Sequence, residues 1–379
     1  MKVKAIPFRQ AVARHSAGPT MVEEIQRVLR LNQPLKAKDI AKRLGIERSV
    51  ISALLHQHLE VFVQNDAYQW SLIQPHKLLI EFPKTRWLTT DQLETTLCSV
   101  ESPLESSHKI IVFKFSPDTS LLLDAMARLL ALCNQLVGIG KFVTIDFDDC
   151  PSTSSYLSRI GFFDHLDGKV IVQPKRPKTS RATAYRGENT GVVELAPINM
   201  EERDDETPRR LQRSFEQCAG STHTVGVLTI LGELFDNVHE HSESPIPGFA
   251  ALQLYKKGSR PHIRTVFSDA GNGIVGTLLP TLDTEMRQQL GCSGKNLGVA
   301  LIEYIFSHGQ LSRMQDDGRG LGLKRAGDFA NKFNASISVR QETFEVMIHY
   351  RAGALEFEHR LNLRKMRGTH ICFNFELTV

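Results

Sequence analysis

The sequence lacks the features that mark several large classes of protein. No run of about eighteen apolar residues is free of charge, which argues against a membrane-spanning helix. The stretch MKVKAIPFRQAVARHS at the N-terminus has no continuous apolar core, which argues against a secretory signal. The six cysteines stand singly without a CxxC pair, which argues against a disulfide framework or a zinc site. We therefore expect a cytoplasmic protein that makes no membrane contact.

The composition is that of a globular protein with more than one core. The chain has 379 residues, of which 41% are hydrophobic and 23% are charged, enough for two or three domains. The net charge is only +4, but the first 48 residues carry eleven Lys and Arg against four Asp and Glu. Such a basic end suits the phosphates of nucleic acid, although charge runs are commonly solvated surface.

Residues 17–75 have the pattern of three short helices and a hairpin. Apolar residues recur at helical spacing in the segments 21–31, 35–45 and 47–58, and residues 61–73 alternate around a turn at Asn65. This order resembles a winged helix-turn-helix, in which the third helix enters the DNA major groove. The groove-facing candidates are Arg48, Ser49, Ser52, His56 and Gln57. The alternative is a protein-docking module, since winged helices serve both purposes.

Residues 95–173 alternate between strand and helix patterns, which predicts a small α/β sheet. The predicted strands are Lys109–Phe115 and Lys141–Asp149, and the predicted helices are Ser120–Leu136 and Ser154–Leu166. The turn after the second strand resembles the STAS fold of sulfate transporters and anti-sigma antagonists. That resemblance implies a protein partner and a phosphoacceptor serine after the central strand. Ser152, Thr153, Ser154 and Ser155 stand there, and the alternative is that they cap the helix.

Two short motifs in the last part of the chain carry carboxylates in positions suited to chemistry. Glu233 and Asn237 are four residues apart, so they share one face of a predicted helix. A carboxamide suits hydrated Mg²⁺, and a carboxylate can orient a water for attack on a phosphate. Asp269 follows a predicted strand and precedes Gly271 and Gly273. Its carboxylate can accept a hydrogen bond from an adenine amino group, while the glycines let a flat base approach the backbone.

Two further motifs complete the set. Gly318, Gly320 and Gly322 precede a predicted helix, where backbone N–H groups are exposed to phosphates. Thr369 precedes the last predicted strand, where its hydroxyl can support a base through water. Each motif alone is ambiguous, since amphipathic helices and Asp-Gly turns are common.

Taken in order, the four motifs resemble those of the GHKL (gyrase, histidine kinase, mismatch repair) ATPase superfamily over residues 187–379. The resemblance implies an α/β sandwich of the Bergerat type, ATP and Mg²⁺ as cofactors, and a nucleotide-dependent homodimer. It makes Glu233 the catalytic base, Asn237 the Mg²⁺ ligand and Asp269 the reader of adenine. The residues it assigns to binding the base or the phosphates are Gly271, Gly273, Gly318, Gly320, Gly322 and Thr369. The expected fold class is therefore multi-domain: a winged helix, a STAS-like α/β domain and a GHKL domain.

The sequence also bears on what the nucleotide is used for. The predicted helix Pro208–Cys218 contains no histidine, which disfavours a two-component histidine kinase. We expect an ATP-binding regulator that hydrolyses ATP with Mg²⁺ or switches conformation, coupled to DNA or protein binding by residues 17–75. One alternative is an anti-sigma-like serine kinase that acts on a STAS-type segment. Another is a transcription regulator that senses ATP without turnover.

Overall fold

The computed structural model describes residues 20–31, 34–59, 61–72, 77–220, 224–241, 244–256, 260–308, 335–351 and 354–377. The chain divides into two compact units, residues 1–75 and residues 76–379. Across these described ranges, every helix is too short or too polar to cross a bilayer.

The first unit contains three helices and a small antiparallel sheet. Its elements are α1 Met21–Leu31, β1 Leu35–Lys36, α2 Ala37–Leu44, α3 Arg48–Gln57, β2 Phe62–Gln64 and β3 Gln69–Leu72. Strand β3 lies between β1 and β2. Ile25, Ile40 and Trp70 are among the residues of its apolar core. The side chain of Asn65 closes the β2–β3 turn by accepting hydrogen bonds from the backbone N–H groups of Ala67 and Gln69.

The second unit begins with alternating strands and helices. Its first elements are β4 Lys77–Glu81, β5 Trp87–Leu88, α4 Thr90–Cys98, β6 Ile110–Lys114, β7 Ser120–Leu121, α5 Leu123–Gly138, β8 Phe142–Asp146, α6 Pro151–Ile160, α7 Phe162–His165 and β9 Ile171–Gln173. Four of the strands form a parallel sheet in the order β4-β6-β8-β9. Helix α5 packs on this sheet, and it is buried on all sides from Leu123 to Val137. A helix that is buried all round must have a second layer over its other face.

That second layer is a larger sheet formed by the rest of the chain. The remaining elements are α8 Arg181–Ala184, β10 Val192–Ile198, α9 Glu206–Ala219, α10 Thr224–His241, β11 Gly248–Tyr255, β12 His262–Ser268, α11 Gly273–Leu278, α12 Thr284–Gly291, α13 Leu297–His308, β13 Ser336–Glu342, β14 Phe344–Arg351, β15 Ala354–Arg360 and β16 Met366–Glu376. The strand order is β10-β11-β12-β16-β13-β14-β15, and neighbouring strands are antiparallel.

Both faces of this seven-stranded sheet are covered. Ala250, Phe267 and Phe373 belong to a core shared with the helices α9, α10 and α13. Ala251, Val266 and Cys372 point the other way, into a core shared with α5 and the parallel sheet. The unit therefore consists of alternating sheet and helix layers, and α5 lies between the two sheets.

A buried network of charges joins these layers. The guanidinium of Arg128 on α5 lies 2.9 Å from the carboxylate of Glu94 and also contacts that of Glu345. Arg340 donates to Glu94 at 2.9 Å as well. Burial works against the charge of Arg128, but Glu345 and Glu94 raise its pKa above the ordinary value. Burial likewise disfavours a charged Glu345, but Arg128 holds the pKa of that carboxyl below its ordinary value.

The mixed α/β architecture predicted from the sequence is confirmed at this level, while the assignment to named domain types stays a prediction. Strand β4 belongs to the parallel sheet although it precedes the predicted boundary at residue 95. The predicted boundary between residues 173 and 187 lies inside the second unit.

Candidate functional site

The site is centred on Asp269, the residue that directly follows β12. Its side chain is only 7% exposed. One carboxylate oxygen accepts from the N–H of Gly271 at 2.8 Å, and the other accepts from the N–H of Thr369 at 3.1 Å. The backbone N–H of Asp269 donates to the carbonyl of Thr369 at 2.9 Å. Two motifs that lie 100 residues apart in the sequence are thus joined at one carboxylate.

The carboxyl of Asp269 has an unusual proton affinity. Burial raises its pKa to about 6, while the hydrogen bonds from Gly271 and Thr369 act in the opposite direction. A buried carboxylate that keeps unused acceptor positions can bind a hydrogen-bond donor, and perturbed carboxyl groups concentrate at functional sites.

Two glycines allow the chain to close around this carboxylate. Gly273 and Gly368 have φ angles of +70° and +87°, which residues with a side chain rarely adopt. A Cβ on Gly368 would lie 2.2 Å from the carbonyl oxygen of Asp269, and one on Gly273 would lie 3.1 Å from the carbonyl oxygen of Gly368. The two turns are in contact, so either side chain would push Asp269 and Thr369 apart.

Gln341 on β13 is a member of the site that the sequence analysis missed. Its side-chain N–H donates to the hydroxyl of Thr369 at 2.9 Å, and its carbonyl accepts from the N–H of Val275 at 2.9 Å. The hydroxyl of Thr369 also accepts from the N–H of Ile274 at 3.2 Å. Gln341 thus holds Thr369 and the first turn of α11 together. The signal in the sequence was a polar residue on the strand face that otherwise carries Ile337 and Val339.

A second layer supports the site from the opposite face of the sheet. Ser268 and His370 are the neighbours in sequence of Asp269 and Thr369, and their side chains lie 2.6 Å apart. The other ring nitrogen of His370 lies 3.1 Å from the carbonyl oxygen of Arg367, which can only accept, so that nitrogen carries the proton. Burial, with Arg128 and Arg340 nearby, lowers the pKa of His370 to about 3.

Glu233 and Asn237 lie on α10, which packs on the same sheet. Glu233 is half-buried and Asn237 is exposed. A Cβ added to Gly248 would lie 2.3 Å from Val238 and 3.0 Å from the carbonyl oxygen of Ser268. The part of α10 that carries Asn237 therefore crosses the sheet beside the strand end that leads to Asp269.

The segment between Asp269 and the last glycine motif contains helices. Helices α11, α12 and α13 follow Asp269, and α13 packs so closely that a Cβ on Gly298 would lie 2.8 Å from the ring of Phe344. Lys295 forms an ion pair of 2.5 Å with Glu303. Gly318, Gly320 and Gly322 lie outside the described residues.

Among the candidate residues, Asn237 offers a side-chain oxygen of the kind that binds magnesium. The described residues contain no cluster of three or more His, Cys, Asp or Glu that would hold a metal ion by themselves. Mg²⁺ keeps several waters and commonly takes one or two protein oxygens together with substrate phosphates. An exposed carboxamide such as that of Asn237 meets this requirement.

The other candidate residues lie on α3 and α6. In the first unit, Arg48, Ser49, His56 and Gln57 on α3 are exposed and Ser52 is half-buried. The remaining candidates lie on α6, where the hydroxyl of Thr153 donates to the backbone of Thr119 and is buried. Ser152 and Ser155 are exposed and Ser154 is half-buried, and the guanidinium of Arg181 donates to the hydroxyl of Ser155.

Comparison of the sequence with known protein families found no match, and comparison with curated proteins found none either.

Proposed function

We propose that residues 187–379 bind ATP with Mg²⁺, and that the nucleotide regulates what the rest of the chain binds. The observation that carries this proposal is the buried carboxylate of Asp269, oriented by the N–H groups of Gly271 and Thr369. Burying a carboxylate is costly, and a site that fixes both oxygens while leaving acceptor positions unused suits a donor such as the adenine amino group.

The neighbouring residues take roles that follow from this orientation. Gly271 and Gly273 offer backbone without side chains beside the carboxylate, which suits a flat base. Thr369, tethered by Gln341 at 2.9 Å, supports the same base through its hydroxyl or a bound water. Gly318, Gly320 and Gly322 are proposed to donate backbone N–H groups to the phosphates.

Glu233 and Asn237 are proposed to act at the phosphate end. Asn237 would hold Mg²⁺, which when bound neutralises charge on the phosphates. Glu233 would orient a water for attack on the terminal phosphate. A half-buried carboxylate at this position can accept the proton of that water.

The fate of the terminal phosphate tests the proposal. The purified full chain is incubated with Mg²⁺ and ATP that is labelled on its γ-phosphate, and free phosphate, labelled protein and bound ATP are measured together. If the chain hydrolyses ATP, free labelled phosphate is expected. If it is a serine kinase, labelled protein is expected. A non-hydrolysing sensor predicts saturable ATP binding without either product. A chain that binds no ATP at all overturns the proposal.

The role of Glu233 has its own test. Glu233→Gln is expected to lower hydrolysis about 100-fold while ATP affinity changes by less than about twofold, because a general base acts on the chemical step. Glu206→Gln, which changes an exposed glutamate of α9, is the matched control. An unchanged rate of hydrolysis in Glu233→Gln would show that Glu233 is not the general base.

For the first unit we propose duplex DNA as the partner. The exposed residues of α3 include Arg48, His56 and Gln57, and the order of helices and strands matches the predicted pattern. A mobility shift on duplex DNA should weaken steeply as salt rises, and Arg48→Ala should weaken it further. No shift at low salt would favour a protein partner instead.

The serine kinase is the second candidate because of one contact on α6. Ser155 is exposed and its hydroxyl accepts from Arg181, whose charge would also pair with a phosphate. Labelling of the chain that is lost in Ser155→Ala would support this candidate. Labelling that persists in Ser155→Ala would reject it for that residue.

A further inference from the structure

Helix α5 makes a direct contact with the chain that forms the Asp269 site. The side-chain amide of Gln135 donates to the carbonyl of Arg367 at 3.0 Å and accepts from the N–H of Arg367 at 2.9 Å. The two residues are 232 positions apart in the sequence. Gln135 is 2% exposed, so the backbone of this one residue satisfies both ends of a buried amide.

Arg367, whose backbone Gln135 holds, is two residues from Thr369. The carbonyl of Arg367 also accepts from the ring N–H of His370 at 3.1 Å, so both of its lone pairs are occupied. Gly368 follows, pressed against the backbone of Asp269 at a distance that leaves no room for a Cβ. A displacement of Arg367 is therefore passed to the contact between Asp269 and Thr369, because the intervening glycine has no free space.

We infer that Gln135 is a positioning residue for the nucleotide site, through which α5 sets the distance between Thr369 and Asp269. This inference rests on the proposed ATP site. On this inference, the layer formed by α5 and the parallel sheet controls nucleotide affinity. A partner that shifts α5 changes the affinity without contacting the nucleotide. Gln135 is not among the residues proposed to bind the nucleotide, and its side-chain amide acts on the site through the backbone of Arg367.

The same helix provides a matched control. Asn134 is the preceding residue, 7% exposed, and it too clamps backbone with its side-chain amide. Its N–H donates to the carbonyl of His165 at 3.0 Å, and its carbonyl accepts from the N–H of Asp167 at 2.9 Å. The two clamps have nearly equal lengths, but the clamp of Asn134 holds the end of α7 rather than the strand of Thr369.

The experiment compares Gln135→Leu and Asn134→Leu in the full chain. ATP affinity is measured by calorimetric titration with Mg²⁺, and thermal stability is measured without nucleotide. We expect Gln135→Leu to weaken ATP binding about tenfold and Asn134→Leu to weaken it less than about twofold, with similar losses of stability. Equal effects on affinity, or unchanged affinity in Gln135→Leu, would overturn the inference.

Hydrogen exchange separates this inference from the proposed function. In the chain without nucleotide, exchange of the amide of Thr369, which donates to Asp269, is expected to rise in Gln135→Leu and not in Asn134→Leu. If wild type binds no ATP but this exchange pattern appears, the proposed function fails and the positioning contact stands. If exchange at Thr369 is the same in both variants, the contact does not position the site.

A second variant covers the case in which Gln135→Leu does not fold. Gln135→Asn keeps both the donor and the acceptor but is one methylene shorter, so it weakens the contact with Arg367 without leaving a charge buried. It is expected to show the same changes to a smaller degree, with affinity reduced about threefold. Affinity equal to that of wild type would again count against the inference.

Discussion

Removing Arg128 should destabilise the second unit strongly, because it leaves buried carboxylates without their main partner. In Arg128→Met, Glu94 keeps Arg340, while Glu345 keeps an ion pair of 3.5 Å with Arg360 and the weaker influence of Arg340. Breaking a buried pair from one side costs about 3–5 kcal/mol. For a unit of about 300 residues, with an unfolding entropy of about 2 cal/mol/K per residue, this corresponds to a fall in Tm of about 5–8 °C.

The assay is urea unfolding followed by circular dichroism, with calorimetry for the Tm. Arg260→Met is the matched control, since Arg260 forms a 3.0 Å pair with Glu376 and is 70% exposed. That exposed pair should contribute less than about 1 kcal/mol.

The pH dependence of the unfolding free energy tests whether the unpaired carboxylate of Glu345 causes the loss of stability in Arg128→Met. The pKa of Glu345 is below its ordinary value in wild type, so its contribution to stability is present above that ordinary value and is lost as pH falls through the lowered one. In Arg128→Met that contribution is absent, so the difference in unfolding free energy between the proteins should shrink below about pH 4. Adding Glu345→Gln to Arg128→Met should restore part of the loss at neutral pH. A difference that stays constant with pH, and no gain from Glu345→Gln, would refute the charge argument and leave lost packing as the cause.

Three further predictions concern the Asp269 site. In the folded chain, the pKa of His370 is lowered to about 3. Between about pH 6.5 and pH 3 the unfolded chain therefore binds a proton at this histidine and the folded chain does not, so the free energy of unfolding of wild type falls as pH falls. Equilibrium unfolding of His370→Asn should show a smaller loss of unfolding free energy over that pH range. Equal losses in the two proteins would contradict a lowered pKa for His370. Asp269 has a pKa of about 6, so adenosine, which has no titrating phosphate, should bind about tenfold more tightly at pH 7 than at pH 5. If calorimetry shows the same adenosine affinity at both pH values, the ionised carboxylate of Asp269 does not receive the base. Gly368→Ala should lower Tm more than Gly187→Ala, because both glycines have positive φ but only Gly368 has Asp269 within contact distance of an added Cβ. Equal falls in Tm for the two variants, measured by differential scanning fluorimetry, would show that the Cβ at residue 368 does not clash with Asp269.

Much of the secondary structure could be predicted from local patterns in the sequence. Helix α1 spans the segment that apolar spacing predicts, and the β2–β3 turn lies at Asn65, whose side chain closes it. These features depend on neighbours within a few residues. Strand β4 was missed because Leu79, which is exposed on this edge strand, hides the alternation of the buried Leu78 and Ile80 in the sequence.

The site was predictable only in part, for the same reason. Asp269, Gly271, Gly273 and Thr369 stand beside recognisable turns, and the structure brings them into contact. Gln341 was not predicted, because its partner Thr369 is 28 residues away. Arg340 and Glu94, which help to join the layers, are 246 residues apart. Such contacts depend on how the sheets stack, and no local pattern carries that information.

We propose that Asp269 receives the base of ATP, and a binding measurement on three proteins tests this role. Titration of the full chain with ATP and Mg²⁺ is compared for wild type, Asp269→Asn and Asp283→Asn, the last being an exposed helix-capping aspartate. Saturable binding is expected for wild type and Asp283→Asn. A loss of at least about tenfold is expected for Asp269→Asn, because the amide has one acceptor oxygen where the carboxylate uses two for Gly271 and Thr369. Equal ATP affinity in Asp269→Asn and wild type would show that Asp269 does not receive the base.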